Sequence, residues 1–215
     1  MYFINKTSIE YYDFLLYRNN KKEKKDQIEK KFQYQELKEK NEDSIGWITI
    51  EDTRIDYPVM YRKGDNQFYL NHNFQKEYSI TGTPFIDGAW NPKSRKDNLI
   101  VYAHHMKDGS MFVDLMKYED VKYYEKHKQI AFYIKNKKYT YEIFAVCRVS
   151  AENEQGFYDI KQLESKQYEF YLEKIKEKAI YITDSYPKKQ EQLLLLSTCE
   201  YSQEDGRLIV LAKKR

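Results

Sequence analysis

The stretch Leu193-Leu194-Leu195-Leu196-Ser197-Thr198-Cys199-Glu200 runs four aliphatic residues into two hydroxyls and a thiol. A short apolar run without helical spacing, closed off by polar residues, reads as a buried strand over Gln192 to Thr198. The segment from Glu200 to Gly206 is polar, and Arg207-Leu208-Ile209-Val210-Leu211-Ala212 then reads as a second apolar strand. The polar segment is short enough for a hairpin-like loop. Such a loop sets Cys199 and Arg207 opposite each other across paired strand ends, within reach of one ligand.

The same period-two reading extends upstream. Gly46 to Ile50, Ile55 to Met60, Asn98 to Ala103, Gln129 to Ile134 and Lys138 to Val149 are short and rich in β-branched or aromatic residues. Seven or more short strands predict a closed barrel or a sandwich. Two segments have helical spacing instead. Ser110 to Tyr124 reads as one or two short helices, and Asp159 to Ala179 repeats apolar residues at Leu163, Tyr168, Tyr171, Leu172 and Ile175. The chain also opens on a helical pattern, with Ser8 as a cap, Ile9, Tyr12, Leu15 and Leu16 on one face, and a charged continuation through Lys21 to Lys40. Repeats and flexible linkers are absent. The expected organisation is an N-terminal helical extension, residues 1–43, packed on a single β domain, residues 44–215.

Composition narrows the function. Lys plus Arg (37) nearly balances Asp plus Glu (34), and these charges are spread along the chain, so a nucleic-acid partner is not indicated. The KKEKK run at 21–25 is interleaved with Glu and Asp, as in a solvated helix face. The sequence has no apolar run of the roughly 18 residues that a membrane span needs. Cys147 and Cys199 fit no zinc spacing, so neither a metal nor a cofactor is expected.

The chemistry then rests on a few residues. Cys199 sits at a strand tip, where a sheet holds a thiol rigidly beside a cleft. An ordinary thiol is mostly protonated at neutral pH and needs a base or a cation nearby. His104, where the strand Asn98 to Ala103 runs out, can supply the base. Its neighbour His105 takes the opposite face if the strand continues. Arg207 can donate to a carbonyl oxygen that gains charge during acyl transfer. On spacing alone, quieter readings stay open: strand-end histidines with structural hydrogen bonds, a surface arginine, and a Cys147–Cys199 disulfide. His72 and His127 lie in polar stretches and read as structural.

Taken together, Ala103-His104-His105-Met106, Asp108-Gly109-Ser110-Met111-Phe112, Leu196-Ser197-Thr198-Cys199-Glu200 and the downstream Arg207 resemble the sortase pattern of a strand-end His, a Thr-Cys pair and an Arg. The resemblance is strongest to class B. The helix before the cysteine strand and the N-terminal extension fit that class, as do Tyr57-Pro58-Val59-Met60 and Tyr69-Leu70-Asn71-His72-Asn73-Phe74. It spans roughly residues 44–215. Two positions depart from the pattern: Ala103 stands where Gly is common, and Leu194 where the family motif has its first Thr.

The resemblance implies a closed eight-stranded β-barrel with a long helix inserted between two late strands. It implies a transpeptidase at the outer face of the cell membrane, tethered by an N-terminal segment upstream of Met1. Cys199 is the implied nucleophile, His104 the proton carrier and Arg207 the oxyanion donor. Ser197, Thr198, Glu200 and, more loosely, Asn73 correspond to peptide contacts. The implied partners are surface proteins carrying a C-terminal sorting signal of the NPxTx kind and an amine of a peptidoglycan precursor or cross-bridge. The segment 151–158 aligns with a substrate-binding loop but resembles it too little to transfer residues. Cys147, inside a continuous strand, reads as a buried and inert thiol. The alternatives to transfer are a hydrolytic cysteine protease and a non-catalytic binding domain closed by the disulfide.

Overall fold

Leu193, Leu194, Leu195 and Leu196 are all fully buried, so the strand that holds them is covered on both faces. A computed structural model describes residues 34–94, 97–135, 137–150, 155–188, 190–200 and 206–215, with only the backbone described at Gln155, Cys199 and Glu200. The helical pattern expected over residues 1–33 lies outside the described residues. Among the described residues nine strands follow in chain order: β1 (Ser44–Thr49), β2 (Asp56–Met60), β3 (Phe85–Ile86), β4 (Leu99–Ala103), β5 (Gln129–Ile134), β6 (Lys137–Ser150), β7 (Ala179–Ile182), β8 (Leu193–Glu200) and β9 (Gly206–Lys214).

Their order in the sheet is β5-β1-β2-β3-β4-β8-β9-β6-β7, and β5 also pairs with β6. That last pairing closes eight strands into a barrel and removes the open edges a sheet of this size would expose. The fourteen-residue β6 makes closure possible. One edge pairs with β9 along most of its length, while the other pairs with β5 over 137–142 and with β7 over 145–147. Thus β7 is an added flap. It and the two-residue β3 are the strands too short for the sequence pattern to reveal.

Alternation along β8 explains its uninterrupted leucines. Leu193 and Leu195 pack with Cys147, Ile209 and Leu211 against α3 (Ser165–Lys178), which buries Tyr168, Tyr171, Leu172 and Ile175 at helical spacing. Leu194, Leu196, Leu208 and Val210 take the opposite face and fill the barrel interior.

The helix is shorter than the expected Asp159 to Ala179. Glu164 is its N-cap, with extended backbone and a reciprocal capping box with Gln167. The residues before it are held by strand contacts: the Ile160 and Lys161 carbonyls accept from the side-chain and backbone N–H groups of Asn98. At the other end Ala179 already belongs to β7. The expected helical stretch 110–124 splits into a 3₁₀ segment, Phe112–Glu119, and α2 (Val121–Lys126), divided by the extended Asp120.

Within the expected extension, only α1 (Tyr34–Lys40) is described as helical. Asn41, just past it, is buried and donates to Tyr69 Oη and the Phe74 carbonyl. Those bonds fasten the end of α1 to the loop that follows β2. Among the described residues no helix is long and apolar enough to cross a membrane.

Candidate active site

Three strand ends meet at one end of the barrel. β4 and β8 run parallel, with Ala103 beside Thr198 as their last registered pair. The next residues are His104 and Cys199. On the other side of β8, Cys199 pairs with Arg207 in the antiparallel ladder. The order β4-β8-β9 therefore carries His104, Cys199 and Arg207 at one level across three neighbouring chains.

A cleft of about 310 Å³ opens there, lined by residues that include His104, Ser197, Thr198 and Arg207. His104 is half-buried, and its Nε2 lies 2.7 Å from the Leu70 carbonyl. A carbonyl oxygen can only accept, so Nε2 carries hydrogen and Nδ1 is the ring nitrogen able to exchange a proton. The His104 carbonyl accepts from Phe112 N–H at 2.9 Å, which pins the backbone after β4. His105 pairs instead with Met111 in an isolated bridge and is not among the residues lining the cleft. Between them the chain turns at Gly109, whose φ of +84° suits glycine. Arg207 donates to the Gly206 carbonyl at 2.9 Å.

The other predicted residues divide. Ser197 shares a 3.1 Å hydrogen bond with Tyr158. Thr198 is buried, and its Oγ1 has no hydrogen-bond partner among the described residues. Glu200 pairs through its backbone with Gly206. Asn73 lies elsewhere: its Oδ1 accepts from the Gln75 and Glu77 N–H groups in an exposed turn, and it does not line the cleft.

Asn66, Leu70, Phe85, Tyr102 and Tyr158 line the cleft without having been singled out in the sequence. Tyr102 precedes His104 by two residues, so strand alternation could have found it. Asn66, Leu70 and Phe85 come from elements that only folding brings close. Tyr158 closes the segment 151–158, where the sequence transferred nothing.

The second cysteine differs in kind. Cys147 is a free thiol, fully buried under α3, with Sγ 3.9 Å from the Ile175 carbonyl. Burial pushes its pKa up to about 12, away from nucleophilic use. A free Cys147 also removes the basis of the disulfide reading. His72 stacks on Phe68 and donates from Nδ1 to the Phe68 carbonyl, and His127 makes the same kind of bond to the Glu51 carbonyl.

Known proteins share this fold. The sortase domain profile matches residues 48–215. Sortase B of Listeria monocytogenes serovar 1/2a (strain ATCC BAA-679 / EGD-e) is 36% identical over 182 residues, covering 83% of this chain and 72% of that protein. A crystal structure of sortase B complexed with triglycine matches with a TM-score of 0.82 at 30% identity, covering 98% of each chain. A Staphylococcus aureus sortase B–substrate complex matches with a TM-score of 0.78 at 28% identity, covering 97% of this chain and 94% of that one.

Proposed function

The chain belongs to the sortase family, in its class B branch, and from that premise we propose that Cys199 is the nucleophile of a transpeptidase that processes C-terminal sorting signals. Sortases are cysteine transpeptidases that act at the cell surface. The observation that carries the residue assignment is the shared level of His104, Cys199 and Arg207 at the ends of β4, β8 and β9, beside one cleft. Cys147 is unsuited to the role, being buried with its thiol protonated.

As the Cys199 thiol passes its proton to His104, Sγ attacks the Thr carbonyl carbon of an NPxTx-like signal, forming a C–S bond while the oxygen takes up negative charge. The Arg207 guanidinium donates to that oxygen, where stabilisation of developing charge lowers the barrier most. As the C–N bond breaks, His104 gives a proton to the departing amine. An amine of a peptidoglycan precursor or cross-bridge then attacks the thioester carbon and loses a proton to His104. The new C–N bond forms, the C–S bond breaks, and the departing Cys199 thiolate takes the proton back from His104. Ser197 and Thr198 contact the peptide from the cleft wall, and Glu200 is a further peptide contact. The relatives solved with a substrate and with triglycine support a peptide and an amine as the two partners. Residues 1–43 serve as an N-terminal extension and 44–215 as the catalytic domain, and the enzyme acts at the cell surface.

The test is intact-mass spectrometry after mixing the protein with NPxTx peptides. An acyl adduct that maps to Cys199 is expected, and added triglycine should appear ligated to the released fragment. Cleavage that persists in Cys199→Ala refutes the assignment. Cleavage that never incorporates the amine identifies a hydrolase instead.

A further inference from the structure

Behind the cleft wall stands a carboxylate that lines no part of it. Asp87 follows β3 and is anchored at both backbone ends: its N–H donates to the Ile100 carbonyl and its carbonyl accepts from Trp90 N–H. Its two oxygens have separate partners. Oδ1 accepts from Ala89 N–H at 2.8 Å, which fixes the rotamer within its own turn. Oδ2 accepts from Asn66 Nδ2 at 2.9 Å and from the Tyr102 hydroxyl at 3.2 Å. Both donors line the cleft.

Asn66 is held from the other side as well, since its Oδ1 accepts from Gly88 N–H at 2.6 Å. The 62–66 loop docks closely on this turn. Gly64 N–H donates to the Gly88 carbonyl, and a Cβ at Gly88 would meet Asp65 N at 2.6 Å. The Asn66 carboxamide is thus bracketed in one orientation.

We propose that Asp87 is a positioning residue that sets the hydrogen-bonding polarity of the substrate wall. A carboxylate only accepts. It therefore forces Asn66 to present N–H and Tyr102 to present O–H toward itself. What remains is the second N–H of Asn66 and the lone pairs of Tyr102 Oη, neither of which has another partner among the described residues. One donor and one acceptor on the same wall complement the C=O and N–H of a peptide amide, as an extended signal peptide presents them. Tyr102 also packs against Tyr158, ring centroids 5.9 Å apart, and Tyr158 bonds Ser197. The orientation set at β3 thereby reaches the strand that carries Cys199.

This inference rests on the sortase reading of the cleft, and its test separates the two. A fluorescent NPxTx peptide is titrated against Cys199→Ala with and without Asp87→Asn, whose amide can donate where the carboxylate only accepted. Kd is expected to rise about tenfold, and in the enzyme with Cys199 intact Asp87→Asn should raise KM about tenfold with kcat within about twofold. Iodoacetamide should alkylate Cys199 at an unchanged rate. An unchanged Kd, or a kcat loss accompanied by slower alkylation, overturns the role of Asp87. A double-mutant cycle guards against a folding artefact: in Asn66→Ala/Tyr102→Phe, Asp87→Asn should change KM less than about twofold, and a full additional tenfold loss overturns the proposal. Turnover surviving in Cys199→Ala sinks the sortase reading alone, and absence of peptide binding to Cys199→Ala sinks both.

Discussion

Cys199 on β8 stands opposite Arg207 on β9, one pair from the end of an antiparallel ladder that runs from Leu193 beside Lys213 to Glu200 beside Gly206. Eight consecutive registered pairs fix that relationship, and a slip of one residue would exchange the two faces of β8 and part Cys199 from Arg207. The register at the cleft is therefore set by the whole β8–β9 ladder.

Arg207→Lys keeps the strand and the charge but loses the planar fork of donors. Steady-state kinetics on an NPxTx peptide should show kcat lowered by about 10²-fold, the usual loss for a single oxyanion donor, with a smaller change in KM. Retention of more than half the wild-type kcat would show that Arg207 serves another purpose.

Thr198→Val removes a buried hydroxyl that has no partner among the described residues. Because no hydrogen bond to a described residue is lost, urea unfolding should register a change within about 1 kcal/mol, in either direction. Peptide KM should rise if that hydroxyl serves the substrate. A stability loss of 2 kcal/mol or more, roughly what breaking a buried hydrogen bond costs, would show a structural partner instead.

The two thiols should part under alkylation. At pH 8 iodoacetamide should label Cys199 in the native protein and Cys147 only after unfolding, as peptide mapping will show. Burial also makes Cys147 a source of alkaline instability. Its ordinary pKa is 9.0 and in the fold it is pushed up to about 12, so over that window the unfolded chain has lost a proton the fold retains. Stability therefore falls as pH rises above about 9, by up to about 1.4 kcal/mol per pH unit from this group. The slope of unfolding free energy against pH should be shallower in Cys147→Ala.

Asp114 behaves in the opposite sense. It is 2% exposed, and burial by itself would raise its pKa. The Lys117 ammonium at 2.8 Å and the Arg54 N–H at 2.8 Å, with the charges of both residues, outweigh burial and hold it below the usual carboxylate range. Its stabilising contribution is thus complete above the unfolded value near 3.8 and disappears as pH falls through the lower folded value. Asp114→Asn should lower stability at pH 7 by about 1–3 kcal/mol and flatten the acid limb of the denaturation curve.

Gly46 is a test of barrel closure. A Cβ there would lie 2.0 Å from the Tyr133 carbonyl oxygen on β5, and backbone cannot yield as a side-chain end can. Gly46→Ala should destabilise the fold by about 1–3 kcal/mol and accelerate amide exchange along β1 and β5 before the β8–β9 ladder. Uniform exchange across the barrel would argue against closure as the weak point.

The strands with strong patterns were legible from residues alone, and so was the placement of Cys199, His104 and Arg207 at strand ends. Short elements were not. β3 has two residues, and β7 lies directly after α3, so neither offers enough residues for a period to show. The start of α3 was misplaced because Asp159 to Glu164 continues the apolar rhythm while its carbonyls are spent on Asn98. Asn73 corresponds loosely to a peptide contact by its place in a motif, and in the fold its side chain accepts from the Gln75 and Glu77 N–H groups of its own turn.

By itself the sequence determined the local facts: strands that need burial on two faces, a thiol at the end of one of them, and enough motif to point to a family. Only the tertiary structure decided which residues share the cleft. The parallel β4–β8 pair joins positions nearly a hundred residues apart, and Asp87 reaches Asn66 and Tyr102 from separate elements. The reason is physical. Periodicity records which face of an element is buried, whereas the neighbours across that face follow from how the strands close into a barrel.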